Sequence, residues 1–412
     1  MARLHPFHAL RPEPSLASAI AAVPYDVVDT DEARTLAGGN PLSFLHVSRA
    51  EIDLPSGTDP YSDEVYARAA ENLAALKRTA LVVESEPSLY FYRLTDDKHE
   101  QVGLAACYSL DEYDRDIIKK HERTRKDKED DRTRHMLALG AQTGPVFLTY
   151  RAQAAVNDVA KRVTGGQPLI DFTAADGVGH TLWRVGGPDV AVLQAAFARI
   201  PALYIADGHH RAASASRARA AQMVPAGVGG AADIAEIDKV LAVAFPHDQV
   251  RILAYNRVVR DLAGLSPSEF LRKVGEAFVV GSSGKGEAMP ERAGAIAMYL
   301  AGQWHTLVPR VPPDASDPIG SLDVSVLQDR LLAPILKIAD VRTDKRIEFV
   351  GGARGTRELQ ARVDRGQSAV AFSLHPVGVA DLMAVSDEGA IMPPKSTWFE
   401  PKLRDGLLIH TI

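Results

Sequence analysis

The sequence predicts an α+β protein built on mixed sheets, and three observations lead there. At about 150 residues per domain, 412 residues supply two to three domains and a sizeable core. With 46% apolar and 24% charged residues the composition is ordinary for a globular protein, which excludes disorder or a coiled coil over the whole length. Apolar runs of strand length alternate with segments of helical spacing from end to end.

In order, residues 3–28 are Pro-rich and extended, ending in Val23-Pro24-Tyr25-Asp26-Val27-Val28, after which Asp31 can cap a short helix toward Gly38-Gly39. Leu42 to Val47 is an apolar stretch expected as a strand. Tyr61 to Arg78 carries Val65, Tyr66, Ala69, Leu73 and Leu76 at helical spacing. Ser88–Leu94 and Gln101–Ser109 read as strands joined by the polar turn at 96–99. Asp111 to Arg134 holds nine acidic and nine basic side chains, so its charges cancel. The strand Val146–Tyr150, a helix at 152–163, a hairpin at 171–185 and a helix at 190–199 follow. Ala202–Ala206 is then a strand, Asp207-Gly208 a turn, and Ala212–Met223 a helix rich in Ala and Arg. Beyond a flexible Gly227–Gly230 loop, 239–246 and 249–257 are expected to pair as a hairpin, and Ser266-Pro267-Ser268-Glu269 opens a helix with a capping box. Strands near 295–301 and 304–309 lead to the Pro/Asp/Gly-rich connection at 309–320. That connection is the expected boundary between a main region, 1–310, and a smaller C-terminal α/β portion, 320–412, that closes the site.

The formal charge of −6 lacks the basic footprint of non-specific nucleic-acid binding. A single cysteine, Cys107, makes neither an internal disulfide nor a zinc cluster. With no apolar leader and no run of about 18 apolar residues, a soluble cytoplasmic protein is expected, with no membrane partner.

The strongest chemical signal is Asp207-Gly208-His209-His210-Arg211. A glycine bend between a buried strand and a helix aims main-chain amides at one spot where the helix dipole favours an anion. Arg211 can clamp a phosphate through two parallel bonds, and Asp207 can take a hydroxyl proton. Successive helical residues diverge by about 100°, so His209 and His210 should have different jobs. A second signal is the run His121-Glu122-Arg123-Thr124-Arg125-Lys126, whose carboxylate and cations suit proton transfer, Mg²⁺ or a polyphosphate. Lys395, Ser396 and Thr397 follow a rigid Pro-Pro step and can face an anion, while Asn40, His46, Arg49 and Glu51 can line a pocket for a small zwitterion. Other motifs fail. Arg125 stands where a zincin needs its second histidine, Gly284-Lys285-Gly286 lacks the Ser or Thr of a P-loop, and Val224-Pro225 stands where a dinucleotide fingerprint at 227–232 would need a strand.

Val23-Pro24-Tyr25-Asp26-Val27, Asn40-Pro41-x-Ser43-Phe44-Leu45, Lys120-His121-Glu122-x-Thr124, Gly144-Pro145-Val146-Phe147, Asp207-Gly208-His209-His210-Arg211 and Met392-Pro393-Pro394-Lys395-Ser396-Thr397-x-Phe399 occur in this order. Together they resemble a prokaryotic family catalogued as a domain of unknown function, members of which act as pyrophosphate-dependent kinases of free L-serine. The Asp-Gly-His-His-Arg element is also similar to the phosphate-binding turn of the ParB and sulfiredoxin superfamily, which implies a core of that type. The resemblance implies phosphoserine as product and Mg²⁺ as cofactor, with the metal ligands unassigned. The expected function is therefore phosphoryl transfer from pyrophosphate, ADP or ATP to free serine. Asp207 or Glu122 serves as base, with His209 beside them. Gly208, His210, Arg211, Lys126, Lys395, Ser396 and Thr397 hold phosphate, and His46, Arg49, His121 and Thr124 meet the acceptor. A ParB-like nucleotide-binding regulator and a metal-dependent phosphohydrolase are the alternatives.

Overall fold

The computed structural model describes residues 2–222, 235–284 and 289–412. The Gly227–Gly230 loop, Met223 and the Lys285-Gly286 pair lie outside the described residues. The chain forms two compact units: one of Met1–Lys120, Thr124–Val250 and Pro401–Ile412, the other of His121–Arg123 and Arg251–Glu400.

The first unit holds a nine-stranded sheet of β1 (Leu4–His5), β2 (Leu89–Asp96), β3 (His99–Ser109), β4 (Ile118–Lys119), β5 (Val146–Tyr150), β6 (Ile170–Thr173), β7 (Gly179–Val185), β8 (Leu203–Asp207) and β9 (Lys239–Pro246). The order is β4-β8-β5-β9-β3-β2-β7-β6, with β1 paired to the end of β3. The β4–β8 and β5–β9 pairs are parallel and the others antiparallel, so the sheet is mixed. Among its helices are α1 (Thr30–Ala37), α2 (Leu45–Ser48), α3 (Asp63–Thr79), α4 (Lys126–Leu139), α5 (Ala154–Thr164), α6 (Pro188–Phe197) and α7 (His209–Gln222).

Every residue of β5 and β9 is buried, as in a sheet covered on both faces. Alternate residues Leu104, Ala106, Leu148, Ile205, Ala242 and Ala244 share one core with Val156 of α5, Phe197 of α6 and Ala212 and Ala215 of α7. A second core gathers Phe44, Val47, Val65, Ala69, Leu73 and Leu76, the last four being the stripe expected of α3.

Three local expectations change. Asp29, not Asp31, caps α1, because its extended backbone lets the carboxylate take the Glu32 amide while Glu32 returns the bond. The 42–47 stretch is not a strand: Phe44 and Val47, three apart and both fully buried, face the core from a turn and α2, and so short an apolar run fits either period. Residues 239–246 and 249–257 are no hairpin, since β9 is already paired on both sides, by β5 and β3.

The second unit contains β10 (Arg251–Leu253), β11 (Tyr255–Val259), α8 (Pro267–Ala277), β12 (Phe278–Gly284), β13 (Ile296–Leu300), β14 (Gln303–Pro309), α9 (Asp323–Leu327), β15 (Ile347–Gly351), α10 (Gly355–Asp364), β16 (Val370–Leu374), α11 (Val379–Asp387) and β17 (Trp398–Glu400). Six strands form an antiparallel sheet in the order β12-β14-β13-β16-β11-β15, and β10 pairs with β17. Ser266 caps α8 with the expected box. Val258, Tyr299, Trp304, Val350, Leu359 and Ala371 make its core. The connection at 309–320 lies inside this unit, because β16 hydrogen-bonds to both β11 and β13 across it; the chain divides at Val250 instead. Among the described residues no helix is long and apolar enough to cross a membrane.

Candidate functional site

At the end of β8 the register with β5 slips between Ile205 and Asp207, a bulge that re-aims the Asp207 side chain. Gly208 then turns the chain with φ +89°, where a Cβ would stand 3.4 Å from the Val146 Cα. Its carbonyl accepts the first helical bond of α7, from the Ala212 amide at 3.1 Å, and glycine has no side chain with which to cap. The first turn of α7 carries His209, His210 and Arg211 and no acid. Cations at the positive end of a helix oppose the dipole, so the arrangement requires anions from elsewhere.

Three aspartates supply them. Arg211 Nη2 donates to Asp26 Oδ1 at 3.2 Å and Nη1 to the Pro145 carbonyl at 3.0 Å. Asp207 Oδ2 accepts from Lys402 Nζ at 3.0 Å and Oδ1 from the Gly208 amide at 2.9 Å. Burial alone would raise the Asp207 carboxyl, but Lys402 and then Arg211 outweigh it and hold the group well below the usual carboxylate range. Burial would likewise lower Arg211, yet Asp26, Asp405 and Asp207 keep it firmly charged.

Asp405 is the third. It exchanges both backbone hydrogen bonds with Ala22, which fixes the returning C-terminal segment against residues 20–26. Its carboxyl is buried and Oδ1 has no hydrogen-bond partner. Burial, helped by Asp26 and opposed by Arg211 and Arg132, pushes it up to about 6. Gly144 makes room for it, since a Cβ there would sit 2.2 Å from Oδ1. Asp405, Arg211, Gly144, Arg132, Tyr25 and His135 are among the walls of a cavity of about 40 Å³. Arg132 lies 4.2 Å over the Tyr25 ring and pairs with Asp131 at 2.8 Å. This cavity is walled by side chains on the Arg211 side of the turn; the expected cradle of amides at 208–210 does not line it.

The charge run meets the same turn. The Arg125 amide donates to His210 Nε2 at 3.1 Å, and His210 is partly exposed while His209 is buried, as successive helical positions require. Thr124 Oγ1 donates to Glu129, whose other oxygen accepts from Arg217 at 3.1 Å, so these groups join α4 to α7. Lys126 opens α4 and is exposed. His46 and Arg49 have partners within the N-terminal layer: His46 Nδ1 meets Asp53 at 2.6 Å, and Arg49 Nη2 donates to the Val28 carbonyl at 2.9 Å.

Five of the expected residues belong to the second unit. The His121 carbonyl accepts from the Met392 amide at 2.8 Å, and its ring Nε2 lies 3.4 Å from the Thr397 hydroxyl. Ser396 Oγ donates to the Pro393 carbonyl at 2.6 Å and so closes the turn. Lys395 adopts φ +57° with Nζ 5.4 Å over the Tyr255 ring. Glu122 is partly buried beside His121. Sequence reasoning gave no role to Asp26, Arg132, Lys402 or Asp405. Asp26 stands in the Val23-Pro24-Tyr25-Asp26-Val27 motif, whereas Lys402 and Asp405 lie in a segment with no local signal.

The end of β8 and the start of α7 thus gather two cations and three carboxylates on a mixed sheet. Residues 4–325 match the model of the DUF1015 family, described as a protein of unknown function, and the chain belongs to that family. Among solved structures it is similar to a free serine kinase in complex with AMP, at 13% identity over 76% of this chain and 94% of the other with a TM-score of 0.37. A conserved hypothetical protein from Pyrococcus furiosus is similar at 14% identity over 74% and 94%, TM-score 0.37. SbnI with C-terminal truncation from Staphylococcus aureus is similar at 13% identity over 73% and 84%, TM-score 0.39. No curated protein matches.

Proposed function

We propose that the protein transfers a phosphoryl group from pyrophosphate, with ADP or ATP as the other donor chemistry, to the hydroxyl of free L-serine, giving O-phospho-L-serine. The observation that carries this reading is the Arg211–Asp26 pair at the acid-free start of α7. Asp26 occupies with a partly exposed carboxylate the place a phosphoryl oxygen would take. The donor's phosphates displace Asp26 from Arg211 and Asp207 from Lys402. The two freed carboxylates then serve the reaction, Asp207 accepting the hydrogen bond of the serine hydroxyl. Freed from Lys402 and set beside the donor's negative charge, the Asp207 carboxyl rises from its depressed value and can take the hydroxyl proton, which suits a transfer governed by positioning and charge neutralisation. The bond from serine Oγ to phosphorus forms as the bridging P–O bond breaks, and the remaining phosphate leaves on Arg211, Lys402 and the α7 amides.

Among the described residues no group of three or more His, Cys, Asp or Glu is arranged to hold a metal. The carboxylates of Asp26 and Asp207 suit Mg²⁺, which takes one or two carboxylates and completes its shell with water and substrate phosphates. Asp26 and Asp207 would hold it, and it would supply charge neutralisation between the phosphates. On this reading the first sheet and α7 form the ParB/sulfiredoxin-like phosphate-binding core. Lys126, in the first unit, remains a candidate for donor contacts.

The test is direct. With Mg²⁺, L-serine and pyrophosphate, ADP or ATP in separate tubes, a phosphomonoester resonance should appear in the phosphorus spectrum with at least one donor. Its absence with all three rejects the kinase.

A further inference from the structure

The second unit contains a buried guanidinium that no carboxylate neutralises. Arg257, on β11, is 2% exposed. Nη1 donates to the Tyr255 carbonyl and Nη2 to the Lys395 carbonyl at 3.0 Å, and its carbon lies 5.5 Å from the centre of the Phe349 ring. Among the described residues no acid pairs with it. Burial without such a partner pushes the group down to about 9. Among the described residues the other buried arginines, Arg211 and Arg404, each lie against a carboxylate. An arginine taken out of water with only carbonyl acceptors is costly unless an anion joins it.

Arg257 lines a cavity of about 290 Å³, near the lower end of small-ligand pockets. Val324, Leu332, Val341, Pro393 and Pro394 make most of its wall apolar. The other charges on the wall, Asp340 and Arg342, neutralise each other at 2.8 Å, which leaves the guanidinium as the net charge. Gln328 stands on the same wall. Its Nε2 is used on the carbonyls of Ile338 and Ala339, at 2.9 and 3.3 Å, while Oε1 is buried with no partner. The cavity therefore presents one cation and an apolar lining, while the Gln328 Oε1 atom is closed off from it.

We propose that this cavity binds a small organic monocarboxylate, the carboxylate on Arg257 and the carbon body against Val324, Leu332 and the two prolines. A short-chain fatty acid and a 2-hydroxy acid share this chemistry. Inorganic phosphate matches it poorly, because its additional charge finds no second free cation on an apolar wall. The site uses no residue of α7 and stands apart from the phosphoryl-transfer reading. Because Arg257 also holds the carbonyl of Lys395, occupancy would settle the Pro393–Thr397 turn in its present form.

Calorimetric titration of the whole protein with propionate, L-lactate and phosphate tests this. Propionate or L-lactate should bind, phosphate at least about fivefold more weakly, and the better of the two acids names the source. Arg257→Gln should weaken that binding tenfold or more. Since Arg257 also braces two carbonyls, Val341→Trp provides the second arm: it fills the cavity from a partly exposed position and should abolish binding while the protein stays folded by circular dichroism. No binding of either acid, binding unchanged in folded Val341→Trp, or phosphate preferred over both acids would each overturn the proposal. Loss of kinase activity in a protein that still binds the acid leaves this site standing and bears only on the other reading.

Discussion

Arg211 and Asp26 stand 185 residues apart in sequence and meet at 3.2 Å, the guanidinium buried and the carboxylate 38% exposed. A buried cation has thus been given an anion that solvent can still reach. Such a partner can be exchanged for a substrate phosphate without exposing the arginine.

If the exchange operates, Asp26→Asn removes the competitor for Arg211 but also a carboxylate needed during transfer. The KM for pyrophosphate should fall about threefold or more while kcat falls by about tenfold. Steady-state kinetics over a range of pyrophosphate at saturating L-serine reads both, and a raised KM would show that Asp26 does not compete with the donor.

Asp405 makes stability depend on pH in an unusual direction. Its carboxyl, facing Arg211, Arg132 and Asp26, titrates near 6 when folded and near 3.8 when unfolded. Between those values the folded chain holds a proton that the unfolded chain has lost, so this group's contribution falls as pH rises, by about 3 kcal/mol in all. The buried histidines His135 and His180, lowered to about 4 and about 3 chiefly by burial, act oppositely and add stability as pH rises toward 6.5. Urea unfolding of the native protein beside Asp405→Asn cancels the histidines. The variant should gain on the native protein by about 2 to 3 kcal/mol between pH 4 and pH 7, and a difference independent of pH would remove Asp405 as the titrating group.

Two glycines at the site should respond differently to alanine. At Gly144 the new methyl would overlap Asp405 Oδ1 at 2.2 Å, a packing conflict costing about 1 to 3 kcal/mol. At Gly208 the nearest atoms are 3.4 Å away, and the cost, also about 1 to 3 kcal/mol, comes from φ +89°. Adding Asp405→Ala should restore much of the loss at Gly144 and none at Gly208. Chemical denaturation of the two double variants measures this, and equal recovery in both would contradict the packing assignment.

Much of the fold is legible in the chain because its signals are local. The stripe of α3, the hairpin of β2 and β3, the Ser266 capping box and the β8–Gly208–α7 step each depend on residues a few positions apart. The failures share a cause. The 239–257 segment has two apolar runs that any local rule would pair, but β9 finds both its neighbours far away in sequence. Thr124 and Ser396 carry hydroxyls suited to an anion, yet each is tied to a neighbour, Glu129 and Pro393, and nothing in composition distinguishes a committed hydroxyl from an available one.

By itself, the sequence determined the periodicities of helix and strand, the glycine bend at 208 and the family motifs, since each is a property of short stretches of backbone and their side chains. Only the tertiary structure decided which charges meet. Lys402 reaches Asp207 across 195 residues, and Asp405 comes to Arg211 because the last twelve residues, Pro401–Ile412, return to the first unit. Charges find partners by distance in space and by burial, which set how strongly they act, and neither quantity is written in the order of residues.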